Sequence, residues 1–374
     1  MRARSPLPDG RADLGELLLG YTNSGFAINR SSSHLPAAWT YAAGSFFQLR
    51  YTSHGSIRAN PLNRRTFSQL LLGTAALGAA SPAAIAASAN PSNQSTSRYF
   101  RVAVVADTHI IDPFYKGHED TPEDTASITH TAERLIAARD SINRLVPAVD
   151  RVFNLGDVVH DCPSTDYDFY FKNRTRLDIA REIHAGFHAP VHLALGNHDY
   201  SLMSISREET HRLFAAKLNT KPYSAVTHKG WKFLLLNNFL GDSWDTSKAA
   251  YDQGVGTLGQ EQLNWLEAEL AQRMPTIVLL HYPLWLIEPR EFADYGLHPL
   301  LRKYADSVKL VLAGHWHKWV DFAHTFGPQH YIAASTRYDS NSYMILEIDR
   351  QTASCRFLNA GCADWSTHFS RPFA

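Results

Sequence analysis

Residues 101–109 read RVAVVADTH, and this stretch combines the main structural and chemical signals of the chain. The run up to residue 106 is short, apolar and rich in Val, which is typical of a strand buried on both faces. Asp107 and His109 follow directly, so a carboxylate and an imidazole stand where the strand ends. In α/β sheets, the loops after the carboxyl ends of strands carry the ligands. The stretch therefore predicts a buried strand with a candidate binding site at its carboxyl end.

The same arrangement recurs at four further places along the chain. Residues 151–157 read RVFNLGD, residues 190–199 read PVHLALGNHD, residues 276–281 read TIVLLH, and residues 308–317 read VKLVLAGHWH. One Asp, Asn or His after a strand is ordinary turn chemistry, but five in succession predict loops that converge on one sheet edge. The candidate metal ligands are Asp107, His109, Asp157, Asn197, His281, His315 and His317.

Helical and extended segments alternate between these strands. Apolar spacing predicts helices over 125–145, 166–185 and 259–272, and a hairpin over 223–236. Extended segments dominate the rest of the chain, with strands predicted at 319–323, 331–334, 343–348 and 353–358. Alternating elements followed by a run of strands predict an α/β fold, built as a four-layer α/β/β/α sandwich.

Composition supports a globular body and argues against one class of partner. The chain has 374 residues, 44% of them hydrophobic and 19% charged, which allows a substantial core. Its 36 basic and 36 acidic residues balance, but residues 1–89 hold eight Arg, no Lys and three acids. The remainder is therefore mildly acidic. A broad nucleic-acid surface would need clustered Lys and Arg, so no such partner is expected.

The three cysteines, Cys162, Cys355 and Cys362, do not form a disulfide framework or a CxxC motif. Zinc or redox chemistry based on cysteine is therefore unsupported. Pairing of Cys355 with Cys362 and the oligomeric state both stay open at this point.

Residues 58–89 resemble a twin-arginine export signal. Paired Arg64 and Arg65 precede an apolar, Ala- and Gly-rich stretch at 70–87, which ends in an Ala-Ser-Ala cleavage signature at 87–89. The stretch is too weakly hydrophobic for a permanent membrane span. The resemblance implies a periplasmic or secreted protein.

The export signal sets the expected domain organisation. Residues 1–57 are expected to be a disordered extension or the result of a translation start placed too far upstream. Residues 58–89 form the signal, residues 90–98 are a polar linker, and residues 99–374 form the catalytic domain.

Five motifs in this order, Asp-x-His, Gly-Asp, Gly-Asn-His-Asp, His and Gly-His-x-His, resemble the calcineurin-like metallophosphoesterase superfamily over about residues 100–340. The resemblance implies two divalent metal ions, and the carboxylate, imidazole and amide ligands suit Mn, Fe or Zn. It assigns the first metal to Asp107, His109, Asp157 and His317. It assigns the second metal to Asp157, which bridges, and to Asn197, His281 and His315. Gly314 is expected to supply the local bend that brings both following histidines to the site.

The family pattern implies hydrolysis of a phosphoester by a metal-bound hydroxide. It makes His198 the general acid or the charge stabiliser for the leaving group, and we expect Asp199 to orient the His198 imidazole. His160 and Asp161 follow the Gly-Asp motif and are expected to be loop residues.

The predicted function is therefore an exported dinuclear phosphoesterase with a small phosphoester substrate. The resemblance favours a phosphodiesterase, because cyclic-nucleotide diesterases of this superfamily are of similar size and lack large accessory domains, and cyclic nucleotides are therefore among the candidate substrates. Val158, Val159 and His160 stand where purple acid phosphatases carry a Tyr ligand, which disfavours that subgroup. The alternatives are a phosphomonoesterase of acid phosphatase or nucleotidase type, and a non-catalytic metal-binding scaffold on the same fold.

Overall fold

The computed structural model of the protein describes residues 97–117, 119, 121–200 and 205–358. The predicted extension, the export signal and most of the linker lie outside these residues, as does Cys362. Cys355 lies within them and is a buried free thiol.

Eleven strands in the described residues form two sheets. The strands are, in chain order, β1 (Tyr99–Val105), β2 (Arg151–Asn154), β3 (Val191–Leu193), β4 (Ser224–His228), β5 (Trp231–Leu235), β6 (Thr276–Leu279), β7 (Val308–Ala313), β8 (Val320–Ala323), β9 (His330–Ile332), β10 (Met344–Asp349) and β11 (Ser354–Leu358).

The five-stranded sheet has the order β11-β10-β1-β2-β3, and the six-stranded sheet has the order β4-β5-β6-β7-β9-β8. Strands β1, β2 and β3 are parallel, as are β5, β6, β7 and β9. Antiparallel strands complete each sheet: β10 and β11 in the first, and β4 and β8 in the second. Each sheet therefore contains a block of adjacent parallel strands that all end at the same edge.

Helices connect the strands and cover the sheets. They are α1 (Pro122–Ile128), α2 (Thr131–Asn143), α3 (Phe169–Lys172), α4 (Arg176–Ala185), α5 (Arg207–Leu218), α6 (Gln260–Leu270) and α7 (Leu297–Lys303). No helix of the described residues combines the length and the hydropathy needed to cross a membrane.

Alternation along β1 shows how the layers are packed. Phe100, Val102 and Val104 face the second sheet and share a buried cluster with residues of that sheet. Ala103 and Val105 point the other way and belong to the cluster that contains the apolar faces of the helices. Strands buried on both faces read as continuous apolar runs, which is why the sequence identified them. The predicted α/β/β/α sandwich is confirmed.

Two of the predicted helices are each broken into two. The prediction over 125–145 is wrong at 129–130, where α1 ends and α2 begins. The prediction over 166–185 is wrong at 173–175, because Thr175 and Asp178 form a capping box that starts α4 anew.

Two observed helices, α5 and α7, have no counterpart among the predicted elements. For α5 the sequence did contain a signal. Ser206 caps the helix, and the Glu209 side chain accepts from the Ser206 backbone amide. This Ser-x-x-Glu capping box marks a helix start independently of the apolar pattern.

Candidate metal centre

The candidate site lies where the parallel strands of both sheets end. Asp107 follows β1 by two residues, Asp157 follows β2 by three, and His281 follows β6 by two. The loops are joined through their backbones, since the amide of Asp107 donates to Gly156 O at 3.1 Å and that of His109 to Asp157 O at 2.8 Å. The strand ends that the sequence indicated therefore do converge.

Two groups of side chains overlap at Asp157. In each group, one ligand atom per residue lies within 4.8 Å of the others. The first group consists of Asp107, His109, Asp157 and His317, and the second of Asp157, His281 and His315. Asn197 adjoins the second group, because its Oδ1 lies 2.9 Å from His281 Nε2 and 3.0 Å from His315 Nδ1. The structure brings all seven predicted ligands together.

Polar atoms within the site converge, and two buried carboxylate oxygens have no hydrogen bond. Nε2 of His109 lies 3.1 Å from Nε2 of His317, so two ring nitrogens converge. Oδ2 of Asp107 and Oδ2 of Asp157 are buried and accept no hydrogen bond. Buried carboxylate oxygens are costly without a donor or a cation. Converging ring nitrogens and buried carboxylate oxygens without a hydrogen bond fit bound divalent cations.

Backbone strain is concentrated at this site. Twelve residues other than Gly have positive φ in the described part of the chain, and half of them lie here. They are Asp107, His109, Asp157, Asp161, His315 and His317, with φ between 43° and 72°. A left-handed backbone costs about 1–3 kcal/mol for such residues and is retained where a function requires it. Nothing in the sequence indicated these conformations.

Two glycines allow close approach at the site. A Cβ at Gly196 would lie 2.2 Å from both the backbone nitrogen and Oδ1 of Asp157, and one at Gly314 would lie 2.8 Å from Asp107 Oδ2. The expectation that Gly314 makes the bend is wrong. His315 and His317 make it themselves through their positive φ angles, and Gly314 provides space for the Asp107 carboxylate.

The imidazoles of the site have very different proton affinities. Burial, followed by the neighbouring histidines, lowers the pKa of His109 and of His315 well below the usual range. Those two rings are neutral and offer lone pairs. Burial opposes charge on Asp157 and His281 too, but their mutual attraction lowers the pKa of Asp157 and raises that of His281 to about 9.

His198 is held by two contacts. Its backbone amide donates to Asp157 Oδ1 at 2.8 Å, and its ring Nδ1 lies 3.0 Å from Asp161 Oδ1. Burial lowers the pKa of His198, but the charges of Asp157 and Asp161 outweigh burial and raise it to about 9. The side chain is 23% exposed, so the ring remains accessible.

The role predicted for Asp199 is wrong. Its carboxylate accepts hydrogen bonds from the backbone amides of Val158, Val159 and Gly196 at 3.2, 3.0 and 2.8 Å. Burial, together with the charge of Asp157, raises the pKa of Asp199. Asp199 therefore ties the loop after β2 to the loop after β3, and the carboxylate that contacts the His198 ring belongs to Asp161.

A buried ion pair supports the loop that carries Asp161. Arg176 at the start of α4 pairs with Asp112 at 2.9 Å, and both side chains are at most 3% exposed. The Arg176 guanidinium also donates to the carbonyl oxygens of His160 and Asp161. The sequence did not single out either member of this pair, because partners 64 positions apart leave no local pattern.

The arrangement is that of a metal-dependent hydrolase, since carboxylates and imidazoles converge at the strand ends of a two-sheet sandwich. A family model described as calcineurin-like phosphoesterase matches residues 100–319, more than half of the chain. The chain belongs to this family, and it is a metal-dependent phosphoester hydrolase. The family resemblance of the five motifs is thereby confirmed.

Solved structures similar to this chain include three enzymes. A dimetal phosphatase from Danio rerio is 16% identical, with 69% of this chain and 95% of that chain covered and a TM-score of 0.47. A purple acid phosphatase from yellow lupin is 13% identical, with 74% and 53% covered and a TM-score of 0.43. A putative 5'-nucleotidase from Staphylococcus aureus is 14% identical, with 68% and 52% covered and a TM-score of 0.39. No curated protein matches the chain by sequence.

Proposed function

We propose that the chain is a dinuclear phosphodiesterase that hydrolyses small phosphodiesters, with cyclic nucleotides as candidate substrates. The observation that carries this proposal is the pair of ligand groups sharing the buried carboxylate of Asp157. Two bound divalent ions would supply Lewis-acid charge to the phosphoryl group and lower the pKa of the attacking water. We assign one ion to Asp107, His109, Asp157 and His317, and the other to Asp157, Asn197, His281 and His315.

His198 is the group we assign to the leaving oxygen. With Nδ1 engaged by Asp161 at 3.0 Å, its Nε2 remains to protonate the leaving group or to stabilise its charge. A carboxylate on one ring nitrogen fixes the tautomer and the orientation of an imidazole. Asp161 therefore takes the orienting role in this proposal.

The charge around the site favours a diester over a monoester. Among the described residues, Arg337 and Arg176 contact the loops around the candidate ligands, and both are paired with carboxylates. Arg337 pairs with Glu119 at 2.7 Å, and Arg176 pairs with Asp112 at 2.9 Å. A phosphate monoester carries about −1.5 to −2 charges at neutral pH, whereas a diester carries one. A phosphate group with two negative charges gains more from unpaired cations than a group with one. Because both arginines are already paired with carboxylates, the site suits the singly charged diester.

A substrate comparison tests this proposal. The full chain, loaded with Mn²⁺, Fe²⁺ or Zn²⁺, would be assayed with bis-p-nitrophenyl phosphate, cyclic AMP and p-nitrophenyl phosphate. We expect a higher kcat/KM for the diesters. Preference for the monoester would support a phosphomonoesterase instead. No turnover of any phosphoester with two ions bound would support the scaffold alternative.

We further propose that the protein is exported by a twin-arginine route to the periplasm or beyond. The support is the sequence pattern at Arg64 and Arg65. A metal site also suits this route, because a protein exported in its folded state leaves the cytoplasm with the site already assembled. Replacing both arginines with Lys should retain the protein in the cytoplasm, as measured by cell fractionation. Arg58→Lys is the matched control. Export of the double variant at the control's level would contradict this proposal.

A further inference from the structure

His109 has one ring nitrogen directed into the site and the other directed away from it. Nε2 lies 3.4 Å from Asp157 Oδ2 and 3.1 Å from His317 Nε2. Nδ1 lies 2.9 Å from Nδ1 of His160, which is 5% exposed. A nitrogen pair at this distance shares one proton, so one ring donates and the other accepts.

Buried and partly buried residues behind His160 extend this contact. Nε2 of His160 lies 3.3 Å from Glu119 Oε1, and Glu119 Oε2 accepts from Arg337 Nη2 at 2.7 Å. The Tyr115 hydroxyl also donates to Glu119, and Arg337 Nε donates to Ser127 Oγ at 2.8 Å. We call Arg337, Glu119, His160 and His109 the outer chain.

When His109 binds an ion, only one placement of protons gives every contact of the outer chain one donor and one acceptor. A ligand imidazole is neutral and offers the lone pair of its coordinating nitrogen. If Nε2 of His109 coordinates, its proton is on Nδ1 and is donated to His160. Nδ1 of His160 then has no proton, so its proton is on Nε2 and faces the Glu119 carboxylate. Arg337, a permanent cation, keeps that carboxylate ionised.

We propose that His160 and Glu119 are positioning residues for the ligand His109. His160 accepts the Nδ1 proton of His109, Glu119 accepts the Nε2 proton of His160, and the lone pair of His109 Nε2 is held toward the first ion. This inference rests on the ion assignment of the proposed function. Partners of this kind orient a ligand histidine, and their removal typically weakens metal binding about 10–100-fold.

The test compares three variants by metal binding rather than by turnover. Mn²⁺ affinity of the full chain would be measured by calorimetry and by metal content after dialysis against graded chelator. His160→Leu should weaken one of the two ions about 10–100-fold and leave the other unchanged. His160→Asn should restore most of that affinity, because the amide oxygen stands near the place of Nδ1 and can accept from His109. A reference variant, His281→Ala, identifies the other ion.

Two ions bound to His160→Leu as tightly as to the parent chain would overturn this inference and leave the proposed function intact. If His160→Leu does not fold, Glu119→Gln tests the outer chain from its other end. It should weaken the same ion, and unchanged affinity there would also overturn the inference. Failure of the proposed function has a different result, because the parent chain would then bind no ions or turn over no phosphoester.

Discussion

His198 is fixed both at its backbone and at its ring, which suits a side chain that must meet a leaving oxygen in one orientation. His198→Ala removes the proposed acid but no assigned ligand, so ion content should persist. We expect kcat for bis-p-nitrophenyl phosphate to fall about 10²–10⁴-fold, the usual contribution of a positioned acid. His130→Ala is a matched control, because that ring is 54% exposed at the start of a helix. An unchanged kcat in His198→Ala would remove His198 from the mechanism.

At the scale of the residue, the sequence predicted which residues form the site but not their backbone conformations or their contacts. The ligand-type residues were found because each follows an apolar run, a local pattern. The pairing of His198 with Asp161 joins residues 37 positions apart, whereas Asp199 is adjacent to His198 in sequence and faces away toward backbone amides. Contacts across two loops are decided by the fold, so adjacency suggested the wrong carboxylate.

The loops after β2 and β3 meet at the backbone, and Gly196 permits this contact. Gly196→Ala would place a Cβ 2.2 Å from Asp157 and force the loops apart. We expect a loss of about 1–3 kcal/mol in the free energy of unfolding, as for other overpacked positions, together with weaker ion binding. Urea unfolding and metal content measure the two effects. Gly254→Ala is the control, since the nearest atom to its Cβ would be 3.2 Å away. Equal behaviour of the two variants would contradict this account of the contact.

Helix α4 is connected to the loop after β1 by the buried pair of Arg176 and Asp112, and the same guanidinium donates to two carbonyl oxygens of the loop after β2. Asp112→Asn keeps the shape but leaves the guanidinium without a counter-charge, at a cost of about 3–5 kcal/mol in the free energy of unfolding. Denaturant unfolding at fixed metal concentration measures this loss. Glu182→Gln is the control, because Glu182 and its partner Arg174 are 50% and 61% exposed and such pairs contribute little. Comparable small effects in both variants would show that the Arg176 pair does not support the loop.

Elements buried on both faces were predicted from sequence, and surface elements were predicted less well. Strands β1, β6 and β7 are continuous apolar runs with little ambiguity. Helix α5 mixes charged and apolar residues along its length, so its apolar spacing is weak and only its capping box marks it. Apolar spacing also misses the breaks near residues 129 and 174, where short loops interrupt a continuous helical pattern.

At the scale of the whole molecule, the pairing of strands could not be predicted from the sequence. Strand β10 pairs with β1 although about 245 positions separate them, with Val102 opposite Leu346. No local pattern specifies such a partner. The motif order nevertheless identified the family, because the strand ends that carry ligands lie at one edge in any arrangement of this kind.

The central claim is that a bridging carboxylate holds two ions and thereby enables phosphoester hydrolysis. The most direct measurement is metal content per chain together with kcat/KM for bis-p-nitrophenyl phosphate, in the parent chain and in Asp157→Ala. We predict two ions and turnover in the parent chain, and loss of bound ions with no detectable turnover in the variant. Retained hydrolysis by Asp157→Ala, or two ions bound without Asp157, would contradict the claim.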